Sequence, residues 1–374
     1  MKVTDRRKKL TKYLIKYLIE SSENELAKKY IDFFKIELDW HIYNGDKHIS
    51  PNYYRDKDIP VKLHLIYAIQ YLIAVLSRPT SANKKNILSA ADFPVPNPLY
   101  GLGYEVFSPV WHAIGKRNIC GDMKTVLWHL GIQNLIRNAD FNAFLDSRLH
   151  DNLEQFQSYL VAQYQKLDLR ALILSTDQHF YSKYSIDIFT KMQRPSFVFS
   201  HGLPAIYSKE VDHRSDYLMV WGESIKKNYI NAGFEESKIK VVGHPKYKTL
   251  PQKRDLRSDF SDVLVIPVSS AIYHQHEYDN IVLTDKSAVV TYLYMVQSVL
   301  KKLGVKKARY RVHPAVNKKW IHKFLSPNFY IQDTQPLDVS LNRSSLLIGA
   351  TSTLLLESLI HGVNYILFEP TDEQ

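Results

Sequence analysis

The sequence predicts an α/β protein of two doubly wound, Rossmann-like domains with an N-terminal helical extension, and three observations predict it. The chain has 374 residues, more than one hydrophobic core usually serves at about 150 residues per domain. From residue 86 onward, short β-rich runs alternate with helix-length segments, the texture of right-handed βαβ crossovers and of a parallel sheet covered on both faces. A stretch from Gly243 to Asp262, with Pro245, Pro251 and the pair Lys253-Arg254 but no apolar periodicity, divides the alternation in two and reads as an interdomain linker. The expected organisation is a helical segment over 1–85, a first Rossmann-like domain over 86–248, a linker over 249–262 and a second Rossmann-like domain over 263–374. Two such domains leave a cleft facing the carboxyl ends of both sheets, where ligands bind in folds of this kind.

Residues 1 to about 40 read as helix, with Leu10, Leu14, Tyr17 and Leu18 at spacings of three and four and with Lys8, Lys9, Lys12 and Lys16 beside them. This basic amphipathic pattern suits an anionic membrane surface. Packing on its own domain or on a second subunit produces the same pattern. A second helical run, Val61 to Leu76, ends at Arg78-Pro79-Thr80-Ser81. The strands of the first domain are expected at Asn86–Ser89, Arg170–Ser175, Pro195–Ser200, Tyr217–Trp221 and Lys238–Val242. Those of the second are expected at Val263–Val268, Ala308–Val312, Phe329–Gln332, Leu346–Gly349 and Tyr365–Phe368. Helices fall between them near Lys286–Leu303, Lys318–Leu325, Leu337–Asn342 and Ser352–His361.

Composition narrows the class. Hydrophobic residues at 45% and charged residues at 23% are those of a folded protein. The single cysteine, Cys120, excludes an internal disulfide framework and any multi-thiolate metal site, and fits a reducing compartment. The N-terminus lacks an apolar stretch of signal-peptide length, and no run approaches the length of a membrane span, so a cytoplasmic protein is expected. The excess of 49 Lys+Arg over 38 Asp+Glu biases partners toward anions such as nucleotides or phospholipid headgroups. No base-reading motif accompanies the charge, so nucleic acid is not an expected partner.

The most informative segment is Leu346 to Gly362, where an apolar strand turns at Gly349 into a helix that opens with Thr351, Ser352 and Thr353. Small hydroxyl residues there cap the helix and leave backbone N–H groups for an anion at the positive end of the helix dipole. Glu357, one turn on, is placed to accept hydrogen bonds from ribose hydroxyls; the alternative is an ordinary capped helix with Glu357 in solvent. In Ala308 to Pro314, a strand ends in His313, followed by a proline that stops the ladder. His313 and Arg311 are candidate phosphate ligands, while alternation suggests that at least one of Arg309 and Arg311 is only a solvated face. The strand from Val263 runs into Ser269-Ser270, a small-residue turn suited to a pyrophosphate. In the first domain His201-Gly202 follows a strand, and Asp177 lies just beyond Arg170–Ser175. Asp177 is the candidate base, or the nucleophile if the reaction retains configuration, with His201 and His179 as alternative bases; a turn or cap role is equally open to it.

The order of a His-Gly-x-Pro turn at His201, the Asp216-Tyr217-Leu218-Met219-Val220-Trp221-Gly222 strand, the Val241-Val242-Gly243-His244-Pro245 exit, the Arg311-x-His313-Pro314 strand end and the Gly349 to Glu357 helix start resembles GT-B glycosyltransferases of bacterial capsule and lipopolysaccharide assembly. The resemblance runs from about residue 170 to the C-terminus. The His-Pro and Ser-Thr elements are similar to those of CMP-sugar-using Kdo transferases and sialyltransferases and of teichoic-acid glycerophosphotransferases. It implies a nucleotide sugar held by the second domain, with the diphosphate on the helix start and the ribose on Glu357. It further implies a glycan or lipid-linked glycan acceptor, a growing capsule or O-antigen, at the inner face of the membrane. No metal cofactor is expected, because helix ends, Arg311 and His313 supply the positive charge at the leaving phosphate. Two other activities share this pattern: 2-epimerisation of a nucleoside-diphosphate sugar and glycerophosphate transfer from a CDP-glycerol-type donor.

Overall fold

The computed structural model describes residues 13–38, 68, 69, 72, 85–91, 102–112, 118–138, 141–200, 207, 214–244, 259–267, 286–312 and 321–368. Described residues up to 244 belong to one compact unit and those from 259 onward to a second.

The first unit is a parallel sheet of seven strands among the described residues. They are β1 (Lys85–Ala90), β2 (Tyr104–Pro109), β3 (Ile119–Cys120), β4 (Leu169–Leu174), β5 (Ser196–Phe199), β6 (Tyr217–Val220) and β7 (Ile239–Val241), in the order β3-β2-β1-β4-β5-β6-β7. β1 and β4 are central, with Leu88 opposite Leu172 and Ala90 opposite Leu174, and their near-continuous apolar runs match burial on both faces. β2 and β3 fall in a region where the sequence suggests no element. The cue for β2 is the short aromatic and β-branched run Tyr104-Glu105-Val106-Phe107 after Gly101-Leu102-Gly103.

Among the described residues, helices that cover this sheet or its flank include α1 (Glu25–Phe33), α2 (Met123–Asn138), α3 (Ser147–Lys166), α4 (Phe180–Lys191) and α5 (Glu223–Asn231). α1 starts where the Asn24 side chain accepts the Leu26 N–H at 2.9 Å, and α3 where Asp146 accepts the Arg148 N–H at 2.9 Å. α3 buries His150, Leu153, Phe156, Gln157, Leu160 and Tyr164, a stripe at spacings of three and four.

The N-terminal segment shares this core. Ile15, Tyr30, Phe34 and Leu38 are fully buried in the cluster that holds Leu172 of β4 and Phe180 of α4. Residues 13–20 are helical, but the inward face differs from the one expected: Ile15 is buried and Leu18 half-buried, whereas Leu14 and Tyr17 are exposed. Leu10 and most of Val61–Leu76 lie outside the described residues. Cys120 is buried too, and burial, aided by the nearby Asp122 charge, pushes its thiol up to about 12.

The second unit holds β8 (Val263–Ile266), β9 (Ala308–Tyr310), β10 (Tyr330–Gln332), β11 (Leu346–Gly349) and β12 (Asn364–Leu367), all parallel, in the order β10-β9-β8-β11-β12. Its helices are α6 (Lys286–Lys302), α7 (Leu337–Arg343) and α8 (Leu354–Ile360). α6 turns Val289, Tyr292, Leu293, Val296 and Leu300 onto the sheet. All four residues of β11 are buried, as a central parallel strand requires. The strand expected to reach Val312 ends at Tyr310, and the helix expected from Ser352 begins at Leu354.

Candidate functional site

The strand orders place the candidate sites. Each sheet reverses direction once, between β1 and β4 in the first unit and between β8 and β11 in the second. Ligands of doubly wound sheets bind beyond the carboxyl ends of the strands at that reversal. In the first unit these ends lead into Ala91 and Ser175–His179, and in the second into Ile266-Pro267 and Gly349–Thr353.

At the second reversal, Gly349 is the last residue of β11, paired with Ile266 on one side and Leu367 on the other. A Cβ at this position would fall on the Tyr365 hydroxyl and 3.1 Å from the Ile266 carbonyl oxygen. The glycine is therefore required by Tyr365, which crosses the strand end and donates to the Ala350 carbonyl at 2.6 Å. Beyond it, Ser352 Oγ accepts the Leu354 N–H at 3.3 Å, while Thr353, the residue before α8, makes no side-chain cap. The N–H groups of Leu355, Leu356 and Glu357 donate to the Ser352 and Thr353 carbonyls. The expectation of open donors thus fails over 354–357, because a tight turn consumes them. Thr351 is exposed, and Glu357 lies half-buried in the first turn of α8.

The two arginines of β9 and its exit are both engaged, which corrects the expectation of a solvated face. Arg309 is buried, donating to Asp262 Oδ1 at 2.6 Å, to Ser344 Oγ at 2.8 Å and to Asp333. Arg311 is partly exposed and donates to the Gln335 carbonyl at 2.6 Å and to Asp333 Oδ1 at 3.3 Å. Asp333 also accepts from Ser340, so this network fastens α7 to the sheet. His201, Ser269, Ser270 and His313 lie outside the described residues. So does Asp56-Lys57-Asp58, an Asp-x-Asp pair that the expectation of a metal-independent reaction overlooked.

At the first reversal Asp177 is 4% exposed and accepts the backbone N–H of Arg214 at 3.2 Å. The amino end of α4 is met by Glu37, whose Oε1 accepts the Phe180 N–H at 3.2 Å. His179 is the residue before α4 and makes no side-chain cap there. His244 packs on Trp221 at 4.2 Å, and the Trp221 indole donates to the Ser200 carbonyl at 2.8 Å, fastening the residue before His201.

The sequence reading did not single out the charges beneath this loop. Lys183 is 6% exposed and donates to the Asp32 carbonyl at 2.5 Å, and Asp32 pairs with Arg214. Burial would raise the Asp32 carboxyl, but Arg214, Lys183 and Lys35 together hold it below the ordinary range. Burial pushes Glu37 up and Lys183 down, the latter helped by the Arg214 charge. A charged residue on a helix gives no sign in sequence of whether it is buried against a distant segment.

Fold and site together define an α/β protein of two Rossmann-type units, each with its own reversal point. No protein-family model and no curated protein matches the chain. Among solved structures, it is similar to a UDP-N-acetylglucosamine 2-epimerase from Rickettsia bellii at 12% identity, covering 75% of this chain and 78% of that one with a TM-score of 0.43. It is similar to a lipopolysaccharide outer core galactosyltransferase at 10% identity, covering 77% and 82% with a TM-score of 0.36. The Anabaena HepE protein in complex with UDP-glucose shares 9% identity over 75% and 79%, with a TM-score of 0.39. At these scores the likenesses carry no weight for function, and the fold stands on the strand orders above. No helix among the described residues is long and apolar enough to cross a membrane.

Proposed function

We propose that the chain is a glycosyltransferase of the GT-B type, moving a sugar from a nucleotide-sugar donor onto a growing bacterial surface polysaccharide such as capsule or O-antigen. The observation that carries this reading is the repeated strand order: two Rossmann-ordered sheets supply two ligand sites, as a two-substrate transfer requires. The second unit takes the donor. Gly349, Thr351, Ser352, Thr353, Ser269 and Ser270 surround the diphosphate, His313 and Arg311 donate to its oxygens, and Glu357 accepts from the ribose. Arg311 reaches a phosphate by exchanging its bond to Gln335. Asp177 takes the proton of the acceptor hydroxyl as that oxygen bonds to the anomeric carbon. The bond from that carbon to the nucleotide phosphate breaks, and its electron pair leaves with the phosphate. His201 is the next candidate for the base. The reaction is read as metal-independent, and the enzyme as peripheral at the inner membrane face, where exposed Tyr13, Leu14 and Tyr17 with Lys16 suit an anionic interface.

A thermal-shift panel of CMP, UDP, GDP and CDP identifies the nucleotide, since a ligand that binds only the folded chain raises its midpoint. The matching nucleotide sugars are then tested with a lipid-linked glycan acceptor. Sugar incorporation that survives EDTA is expected; epimerisation with no acceptor present points to an epimerase, and EDTA sensitivity directs attention to Asp56-Lys57-Asp58. Glu357→Ala should weaken nucleotide binding by about 0.5–3 kcal/mol while sparing pyrophosphate. Equal losses for both ligands remove the ribose role.

A further inference from the structure

The N-terminal segment holds the loop that carries Asp177. Three ties meet over the connection from β4 into α4, each ending on residues 32–37 directly or through one intermediary. Glu37 Oε1 accepts the Phe180 N–H at the amino end of α4, and its Oε2 is buried with no hydrogen-bond partner. One turn along α4, Lys183 donates to the Asp32 carbonyl. The Asp32 carboxylate pairs with Arg214, and the Arg214 backbone N–H donates to Asp177 Oδ2. Phe34 stacks on Phe180 at 4.1 Å and 4°, between these polar ties, and the Arg214 guanidinium lies over the Phe33 ring at 5.9 Å.

Apolar packing alone would seat a segment here at lower cost. Burying Glu37 and Lys183 carries a desolvation penalty, and such networks are often less stable than apolar replacements of the same volume. What they supply is direction, because each bond holds one atom of the loop at one place. We propose that residues 25–38 form a positioning clamp for the β4–α4 loop, with Asp32 and Glu37 as positioning residues that set where the Asp177 carboxylate stands. The catalytic half of this proposal rests on Asp177 being the acceptor-side base.

Hydrogen–deuterium exchange on the full chain reads the clamp without any substrate. In Asp32→Asn and in Glu37→Gln, amides over 175–184 and 214–216 should exchange about tenfold faster while those of 259–368 keep their rates. Asp32→Glu should restore the slow exchange. Arg214→Ala trims an exposed side chain, so it stays folded if the buried variants do not, and it should loosen the same amides. Unchanged exchange in that loop overturns the clamp, whatever happens to turnover. With the nucleotide sugar selected by the panel, Asp32→Asn should lower kcat about tenfold at unchanged donor KM. Faster exchange with normal kcat, in a protein whose Asp177→Asn variant is inactive, leaves the clamp standing and overturns the positioning role. Normal transfer by Asp177→Asn sinks the base assignment alone, and the exchange measurement still decides the clamp.

Discussion

At the scale of single residues, Gly349 answers to a packing constraint that its place at a strand end does not announce. The sequence reads it as the turn from strand into helix; in the structure its missing side chain admits Tyr365, which donates to Ala350. Gly349→Ala should therefore cost about 1–3 kcal/mol through overpacking. Combined with Tyr365→Ala the loss should be less than additive, since the second change removes the obstacle. Denaturant unfolding of the two single variants and the double variant checks this, and full additivity would mean that Gly349 answers to something other than Tyr365. Asp177 differs again. Its place after a parallel strand is legible from Arg170–Ser175, but its burial and its bond to Arg214 depend on a contact 37 residues away. No local pattern encodes that contact.

At the scale of elements, the strands the sequence suggests were legible because parallel strands buried on both faces are apolar throughout, as Leu172, Ile173 and Leu174 or Leu346, Leu347 and Ile348 are. The region of α2 and α3 was not, because both helices mix Gln, His and Asn into their sequences and α3 buries His150 and Gln157 among its apolar residues. The seating of α1 depends on side chains from three helices. Glu154 of α3 accepts from Lys29 at 2.8 Å, from Tyr30 at 2.8 Å and from Lys191 of α4. Burial would raise the Glu154 carboxyl, but those three donors hold it at about 2. A depressed carboxyl contributes stability that is present above its ordinary value near 4.5 and is lost as pH falls toward 2. Glu154→Gln should thus flatten the decline of the thermal midpoint between about pH 5 and 2 and cost on the order of 1 kcal/mol at neutral pH, a figure reduced by solvent screening. An acid limb as steep as in the native chain would show that the decline arises elsewhere.

At the scale of the whole molecule, the presence of two parallel α/β sheets was the part most open to sequence reading, since each βα series announces itself by alternation. The reversal point in each sheet was not readable, because strand order depends on which strands pair and not on where they fall in the chain. One small feature of the first unit has a practical reach across both. Cys120 is the only cysteine of the chain, buried in β3 with its thiol held to about 12, so it offers almost no thiolate at neutral pH. The native chain should resist maleimide until denaturant exposes it, which mass spectrometry after brief labelling can check; rapid modification of the folded chain would mean that β3 opens readily. A quiet native thiol leaves the molecule without background for fluorescent dyes. A cysteine introduced at exposed Lys238 in the first unit and another at exposed Lys301 in the second would take a donor and acceptor pair. Energy transfer between them would then report, one molecule at a time, whether a nucleotide sugar changes the distance between the two units.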